Sequence, residues 1–463
     1  MVSGPPPVAR PEAGVAASGG AAPSAAPAGA GAARPPARRA VLLVANTAAP
    51  YSRSLRVARS LAATGWEVEI AGVAGAGVPR EERDVRDASI VTRRYGPTGP
   101  FRAWSTADAT SMRGPFARLG RPGRWIDAGL KAVLWPLTAR GWWRTLRRDL
   151  PPADLYHAFG ILAVPVALDL GARARRAGRT GRVVYDVIDV ILESNNYARV
   201  PRPLLAWYRR RERRWARRAD AIVTVNEPIA DHLAGVWRLG TPPTVLLNCQ
   251  PRWDPPEPRP DLVRGAAGLP PDRRIVLFLG RLGRERGLEE AAEAVLRLDD
   301  AALVMLGFGP WADRLRARDR DPRYAGHHVT LPAVPPDDVP AWAASADVSI
   351  VAVPADSLNQ RLSTPNKFWE SLTAGTPVVV GRDLVVMRSI VEGHGLGAVA
   401  DPADPDALAR ALRSLLDAPS EARAAMRARC LSITRDRFSW EAAVVPYLGL
   451  IGDLVPPEGP RRV

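Results

Sequence analysis

Short apolar runs alternate with longer segments of helical period along most of the chain. Arg39 to Ala45 reads as a buried strand. Ser54 to Thr64 reads as a helix with Leu55, Ala58, Leu61 and Ala62 on one face, and Trp66 to Val73 as a second strand. A βαβ unit of this kind has a right-handed crossover and binds ligands at the carboxyl ends of its strands. The alternation resumes with strand ends at Asp154–His157 and Gly181–Asp189, a basic helix over Leu204–Asp220 and a strand over Ala221–Val225. A helix over Glu227–Val236 and a strand over Thr244–Asn248 follow. Residues 251–273, rich in Pro, Arg and Asp, read as a linker. Strand and helix then alternate again from Arg274, and Phe438–Leu454 is a last helix with an apolar face and Trp440 near its start. The pattern predicts an α/β protein of two doubly wound domains, 39–250 and 274–435, closed by a helix within 436–455. The cleft between them is the expected ligand site.

One stretch, Ser363 to Val380, concentrates the chemistry. Its pattern gives a helix whose apolar face holds Phe368, Trp369 and Leu372, a turn at Gly375 and Pro377, and a buried strand Val378–Val380. Ser363 or Thr364 suits the N-cap, and Pro365 the first turn. Lys367 and Glu370 then lie near a helix N-terminus, which favours anions. A phosphate there would meet Lys367 as counter-charge, with Glu370 accepting from hydroxyls. A surface helix with solvated charges is the plainer reading of this stretch alone.

Net charge sharpens the picture. The formal charge is +16, of which residues 1–250 carry +18 and residues 251–463 carry −2. The basic excess points to an anionic partner for the first half. Residues 101–148 hold Trp104, Trp125, Trp135, Trp142 and Trp143 among arginines. A helix with Ile126, Leu130, Val133, Leu134, Leu137, Trp142, Trp143 and Leu146 on its apolar side fits a bilayer interface. It equally fits packing on the domain. Nucleic acid is a third reading that no recognisable binding module supports. Residues 1–38, mostly Ala, Pro, Gly and Arg, read as a disordered tail without a signal-peptide core. Two cysteines, Cys249 and Cys430, and five scattered histidines suggest neither a disulfide framework nor a metal cluster. They fit a reducing cytoplasm.

Candidate site residues sit where strands end. Asn46 opens the loop after the first strand, and His157 and Asp189 close two later ones. A structural His and a helix-capping Asp are the alternatives for the last two. In the second domain Gly280, Arg281 and Arg286 follow a strand, and Gly309 lies in the next strand's turn. Glycine lets a backbone approach a ligand, and two guanidiniums can fork onto phosphate oxygens. With Lys367 facing them, the set is a diphosphate clamp that needs no metal.

These stretches resemble the retaining family-four, or group 1, glycosyltransferases of the GT-B fold. FLGRLGRERGLEEAAEAV is similar to the family's donor-phosphate loop, and STPNKFWESLTAGTPVVV to its donor-binding helix and strand. ADLYHAFG, VVYDVID, RRADAIVTVNEPIADHL and VLLN match the N-terminal domain. FSWEAAVVPYLGLI matches the helix that crosses back to it. The resemblance implies that Arg281 and Arg286 bind the donor diphosphate, with the amides of Asn366 and Lys367, and that Glu370 holds the ribose. Glu370 matches the second Glu of a Glu-x7-Glu motif, whose first falls at Leu362. His157 matches the first position of a His-x-His, with Phe159 at the second, and implies a contact near the transferred sugar. Asp189 stands at an acidic acceptor-side position. The implied reaction moves sugar from a nucleotide-diphosphate donor to a lipid-linked, polysaccharide or other envelope acceptor with retained configuration and no cofactor. The expected setting is cytoplasmic, with the inner face of the plasma membrane as a docking surface and no nucleic acid. A sugar-nucleotide epimerase and a non-catalytic scaffold of the same fold are the alternatives.

Overall fold

The apolar runs become two largely parallel sheets. The computed structural model describes residues 38–49, 52–75, 77–96, 139–198 and 200–456. The first sheet holds β1 (Arg39–Val44), β2 (Glu67–Val73), β3 (Glu81–Arg83), β4 (Ile90–Tyr95), β5 (Leu155–Phe159), β6 (Arg182–Val187), β7 (Ala221–Thr224) and β8 (Thr244–Val245). Their order is β3-β4-β2-β1-β5-β6-β7-β8, and β3 is the antiparallel edge. The second sheet holds β9 (Arg274–Arg281), β10 (Ala301–Phe308), β11 (His328–Pro332), β12 (Val348–Val351), β13 (Val378–Gly381) and β14 (Gly397–Ala400). Its order is β11-β10-β9-β12-β13-β14, and its strands are parallel. Each sheet is doubly wound, with helices on both faces, so its central strands are apolar throughout, as β1 (RAVLLV) and β13 (VVVG) show. The two sheets belong to one compact unit.

The last helix, Trp440–Leu454, crosses back to the first domain. Trp440 Nε1 donates to Ser60 Oγ at 2.9 Å, and Arg182 Nε donates to the Leu454 carbonyl at 3.2 Å. Midway, the Tyr447 hydroxyl lies 2.9 Å from Nδ1 of His157 on β5. His157 Nε2 lies 3.1 Å from Asp186 Oδ2 on β6. Arg53 grips the same carboxylate through Nε at 2.9 Å and Nη2 at 3.1 Å, and its Nη1 donates to the Leu246 carbonyl at 3.0 Å. His157 and Asp186 are fully buried and Arg53 is 2% exposed. The contacts fit a neutral imidazole whose Nε2–H donates to Asp186 and whose Nδ1 accepts from Tyr447. Burial holds the His157 ring below its ordinary range. Burial alone would raise the Asp186 carboxyl, but Arg53 and His157 outweigh it and hold it low.

Several local expectations change. The Asn366–Thr373 helix has Pro365 at its N-cap position and no side-chain cap. Ser363 Oγ instead donates to the Gln360 carbonyl at 3.1 Å. The segment read as a linker contains a helix, Leu262–Ala267, with Val263 fully buried in the second domain's core. A short apolar pair was hidden there by the surrounding polar residues. The strands β3, β4 and β14 and the helix Val385–His394 are further elements that the sequence pattern was not used to assign. Residues 1–37 of the expected tail, with Trp104, Trp125 and Trp135, lie outside the described residues. The described end of the Trp-rich segment, helical over 139–149, is core rather than interface. Trp142 is 1% exposed and donates to the Gly72 carbonyl at 3.0 Å, Trp143 donates to Asp169 at 2.9 Å, and Leu146 is fully buried. Among the described residues no helix is long and apolar enough to cross a membrane.

Breaking the buried network from one side strands a charge. Arg53→Met leaves Asp186 buried without its cation and should lower unfolding free energy by about 3–5 kcal/mol in urea denaturation. Tyr447→Phe removes one neutral partner and should cost about 1–3 kcal/mol by the same measurement.

Candidate functional site

The carboxyl ends of the first sheet's strands meet the segment after β12 of the second sheet. Asn359 Nδ2 donates to Asp189 Oδ1 at 3.2 Å, and Asn195 Nδ2 to Gln360 Oε1 at 3.2 Å. Asn226 Nδ2 donates to the Leu362 carbonyl at 2.9 Å. Asn248 Nδ2 donates to Asn366 Oδ1 at 2.8 Å, and Asn366 Nδ2 to Ser52 Oγ at 3.4 Å. These amides line the cleft between the domains, and strand-end position was the signal that could have found Asn226 and Asn248. Leu362, where the resembling family carries a Glu, packs against the first domain's apolar cluster. A carboxylate there would lose water without gaining a cation.

The second domain's wall is cationic. Arg281, at the end of β9, is exposed; Arg286 is half-buried in the following turn, Arg284–Arg286. Among the described residues neither guanidinium makes a hydrogen bond or an ion pair. Burial, with Arg281 beside it, lowers the Arg286 pKa. Lys367 is 8% exposed. Its Nζ has no hydrogen-bond partner and lies 3.5 Å above the Phe278 ring. Burial, reinforced by Arg286, drives its amine well below the ordinary lysine range. The uncapped start of the Asn366–Thr373 helix lies on the same backbone, and its first amides have no intrahelical acceptor. Glu370, one turn along, is lifted by burial from an ordinary 4.5 to about 7, against the pull of Arg56 and Lys367. Arg56, from the first domain, is 6% exposed and donates to Asn248 at 2.7 Å and Gln250 at 3.1 Å. Sequence reasoning missed Arg56 because a lone Arg inside an amphipathic helix carries no signal.

The glycines shape this wall. Gly280 has φ 97°, and a Cβ on Gly307 of the neighbouring strand would stand 1.8 Å from its carbonyl oxygen. A Cβ on Gly309 would come within 2.3 Å of the Leu282 carbonyl, so backbone packing by itself requires glycine there.

The structure brings Gly280, Arg281, Arg286, Lys367 and Glu370 together around the start of one helix, with Asp189 opposite, beside Arg286. It does not bring His157 there. Both ring nitrogens of His157 are engaged and the residue is fully buried, so the catalytic reading of His157 is corrected to an internal strut. The Asn366 side chain is spent on the first domain, which leaves its backbone amide for the cleft. Asn46 is exposed at the end of β1, and its Oδ1 accepts from the Ala48 amide at 2.8 Å to turn its own loop. Among the described residues no group of three or more His, Cys, Asp or Glu is placed to hold a metal ion.

Known proteins resemble this chain in sequence and in fold. The sequence model of the family described as "Glycosyl transferases group 1" matches residues 261–430. A GDP-mannose-dependent alpha-(1-6)-phosphatidylinositol monomannoside mannosyltransferase of Mycolicibacterium smegmatis is 30% identical over 64% of this chain and 76% of its own length. A 2-deoxystreptamine glucosyltransferase of Streptomyces kanamyceticus is 26% identical over 81% of this chain and 91% of its own. Among solved structures, sucrose-phosphate synthase from Thermosynechococcus elongatus superposes with a TM-score of 0.64 at 18% identity, covering 90% of this chain and 99% of the other. Anabaena HepE in complex with UDP-glucose gives 0.62 at 13% identity, with 90% and 99% covered. The two facing Rossmann-like domains, the crossing helix and these likenesses agree: the chain belongs to the group 1 glycosyltransferases and has the GT-B fold.

Proposed function

We propose that this glycosyltransferase transfers a sugar from a nucleotide-diphosphate donor to a hydroxyl of a lipid-linked or other envelope glycan, with retained configuration. The observation that carries the donor site is the group of cations without partners at the uncapped helix. Arg281 and Arg286 make no ion pair among the described residues, and Lys367 Nζ is buried without an acceptor. A diphosphate supplies what all three lack. Charge builds on that diphosphate as the glycosidic bond breaks, and preorganised cations stabilise it there. Removing one such donor typically costs about 3–4 kcal/mol of barrier. Glu370, one turn from Lys367, accepts from the ribose hydroxyls in its ionised form. The acceptor hydroxyl attacks from the leaving group's own face and passes its proton to the departing phosphate. The positive charge in this reading comes from side chains, with no metal or cofactor. Asp189 and Asn46 face the acceptor side from the first domain. The lipid-linked acceptor rests on the mannosyltransferase relative, whose name gives a phosphatidylinositol mannoside as its acceptor. The basic first half agrees with an anionic partner.

Three measurements test this reading. In a thermal-shift screen, one nucleoside diphosphate family at about a hundred times its Kd should add roughly 2.7 kcal/mol of stability. Arg281→Ala and Glu370→Ala should each abolish that shift. No shift with any nucleotide in the wild type would defeat the donor assignment.

Phosphate beside Lys367 favours its charged form, against the burial that disfavours it. Binding of the diphosphate, followed calorimetrically across pH in two buffers of different ionisation heat, should therefore take up protons where the free amine titrates. Lys367→Met should remove that uptake.

Glu370 has its folded pKa raised from 4.5 to about 7. Between those values the folded chain holds a proton the unfolded chain has lost, so its contribution favours folding at low pH and fades as pH rises towards 7. Glu370→Gln should therefore gain stability relative to wild type progressively from pH 4.5 to 7 in chemical denaturation. A flat difference would contradict the assigned environment.

A further inference from the structure

The helix Arg202–Ala216, with the turn after it, carries a charge pattern that the donor and acceptor sites do not use. Trp207, Arg210, Arg211, Arg214, Arg217 and Arg218 follow an i, i+3, i+4, i+7, i+10, i+11 spacing, which places them on one helical face. All six are exposed, and Trp207 is 44% exposed. The opposite face holds buried Tyr208, Glu212 and Ala216, with Leu204 and Leu205 packed beside Ile161, Leu192 and Val200. The stripe is therefore the outward side of a helix that is fixed to the domain by its other side.

Its charge is uncompensated. Glu212 is the one acidic residue within the helix; it points inward and accepts from the Tyr185 hydroxyl at 2.9 Å. Among the described residues Arg209, at the edge of the stripe, pairs with Glu193 at 2.8 Å, while Arg210, Arg214, Arg217 and Arg218 make no ion pair or side-chain hydrogen bond. Arg211 lies over the Trp207 ring at 4.5 Å. Like charges three and four residues apart repel one another along a helix. Here Arg214 has Arg210, Arg211, Arg217 and Arg218 as such neighbours. Nothing within the described fold offsets that repulsion, but an anionic surface would.

The helix also stands beside the cleft. It follows the short turn Asn195–Tyr197, and Asn195 reaches across to Gln360 of the second domain at 3.2 Å. Its stripe is a ridge about 16 Å long, at 1.5 Å per residue, rather than a groove. A single exposed indole within a row of guanidiniums suits an interface where the ring sits at headgroup depth and the arginines meet lipid phosphates. Single-stranded nucleic acid is usually held differently, by a groove with several stacking aromatics.

We propose that the face formed by Trp207, Arg210, Arg211, Arg214, Arg217 and Arg218 docks on an anionic phospholipid surface and presents the cleft to acceptors held there. The assignment extends the reading of a lipid-linked acceptor and transfers the membrane face from the Trp-rich segment, whose described end is core. The two readings fail separately. Nucleotide stabilisation tests the transferase, and vesicle binding tests the docking face.

The experiment is flotation of the full chain with vesicles of phosphatidylcholine, with and without phosphatidylglycerol, at low and high salt. The wild type should float with the anionic vesicles at low salt and be released at high salt. The triple variant Arg210→Ala, Arg214→Ala, Arg218→Ala should lose partition by roughly two orders of magnitude, the electrostatic effect of three basic residues at an anionic surface. It should keep the wild-type thermal shift with the nucleoside diphosphate, which shows that it is folded. A charge-matched variant in the second domain, Arg388→Ala, Arg410→Ala, Arg429→Ala, should float like wild type. Trp207→Ala should weaken binding at low salt without changing its salt dependence, because the indole contributes without charge. Absence of wild-type flotation overturns the proposal, as does equal loss in the two triple variants. Stripe-dependent retention of duplex DNA without vesicle binding also overturns it, and would assign the face to nucleic acid.

Discussion

The placement of the two domains depends on one buried cluster. Arg53, His157, Asp186 and Tyr447 come from the helix after β1, from β5, from β6 and from the crossing helix, and each satisfies another. Three of these positions belong to the first domain, and the fourth belongs to a helix that follows directly from the second. Buried charges of this kind give little net stability, because desolvation opposes their attraction. Their effect is specificity, since an alternative seat for the crossing helix would leave the buried Nδ1 of His157 without its donor. The cluster fixes the crossing helix against β5 and β6 and so sets the side from which the cleft opens. Trp440 Nε1 on Ser60 and the Leu454 carbonyl under Arg182 hold the two ends of the same helix.

Above this cluster the cleft divides its polar work between its walls. The second domain contributes Arg281, Arg286 and Lys367, whose nitrogens have no hydrogen-bond or ion-pair partner among the described residues. The first domain contributes side-chain amides, Asn195, Asn226 and Asn248, each donating across to the segment 358–366. Neutral amides can release and remake such contacts at modest cost, which suits walls that must separate to admit a substrate. Asn366 serves both walls. Its side chain joins Asn248 and Ser52, while its backbone opens the helix that would hold the phosphates. A shift of the donor helix would therefore be felt at Asn248, which also accepts from the buried Arg56.

Much of this was legible from residue pattern. Apolar runs placed β1, β2, β9, β10 and β13 within a residue or two, because strands buried on both faces need no polar alternation. Gly375, with φ 75°, ends the donor helix as its position after Leu372 implied. Asp404 caps the helix Pro405–Leu416 through the Asp406 amide at 2.8 Å. The convergence of Arg281, Arg286, Lys367 and Glu370 was readable because strand ends and helix starts are local features. His157 was not. Its strand-end position suggested the cleft, but its neighbours Asp186 and Tyr447 lie 29 and 290 residues away, and only the fold shows that they enclose it. The N-cap was misplaced for a related reason: Ser363 can cap locally, yet its hydroxyl turns back to Gln360. Arg56 and the cleft amides are ordinary surface residues in sequence and acquire meaning through tertiary contact alone.

The charge asymmetry follows the same division of labour. The second half of the chain is nearly neutral, at −2, yet it presents the cluster of unpaired cations at the cleft. Many of its arginines elsewhere are matched, as Arg264 is by Asp347 and Arg274 by Asp300 and Asp417. Local exposure of cations within a neutral domain concentrates attraction at one point, which suits a small dianionic ligand. The first half carries +18, and its surplus includes a helix ridge whose acid is turned inward. Charge spread along a convex ridge makes no point-like well and instead favours an extended anionic surface. A GT-B enzyme must hold a small charged donor and reach a separate acceptor. In this chain the two forms of positive charge lie on the two domains that face each other across the reaction.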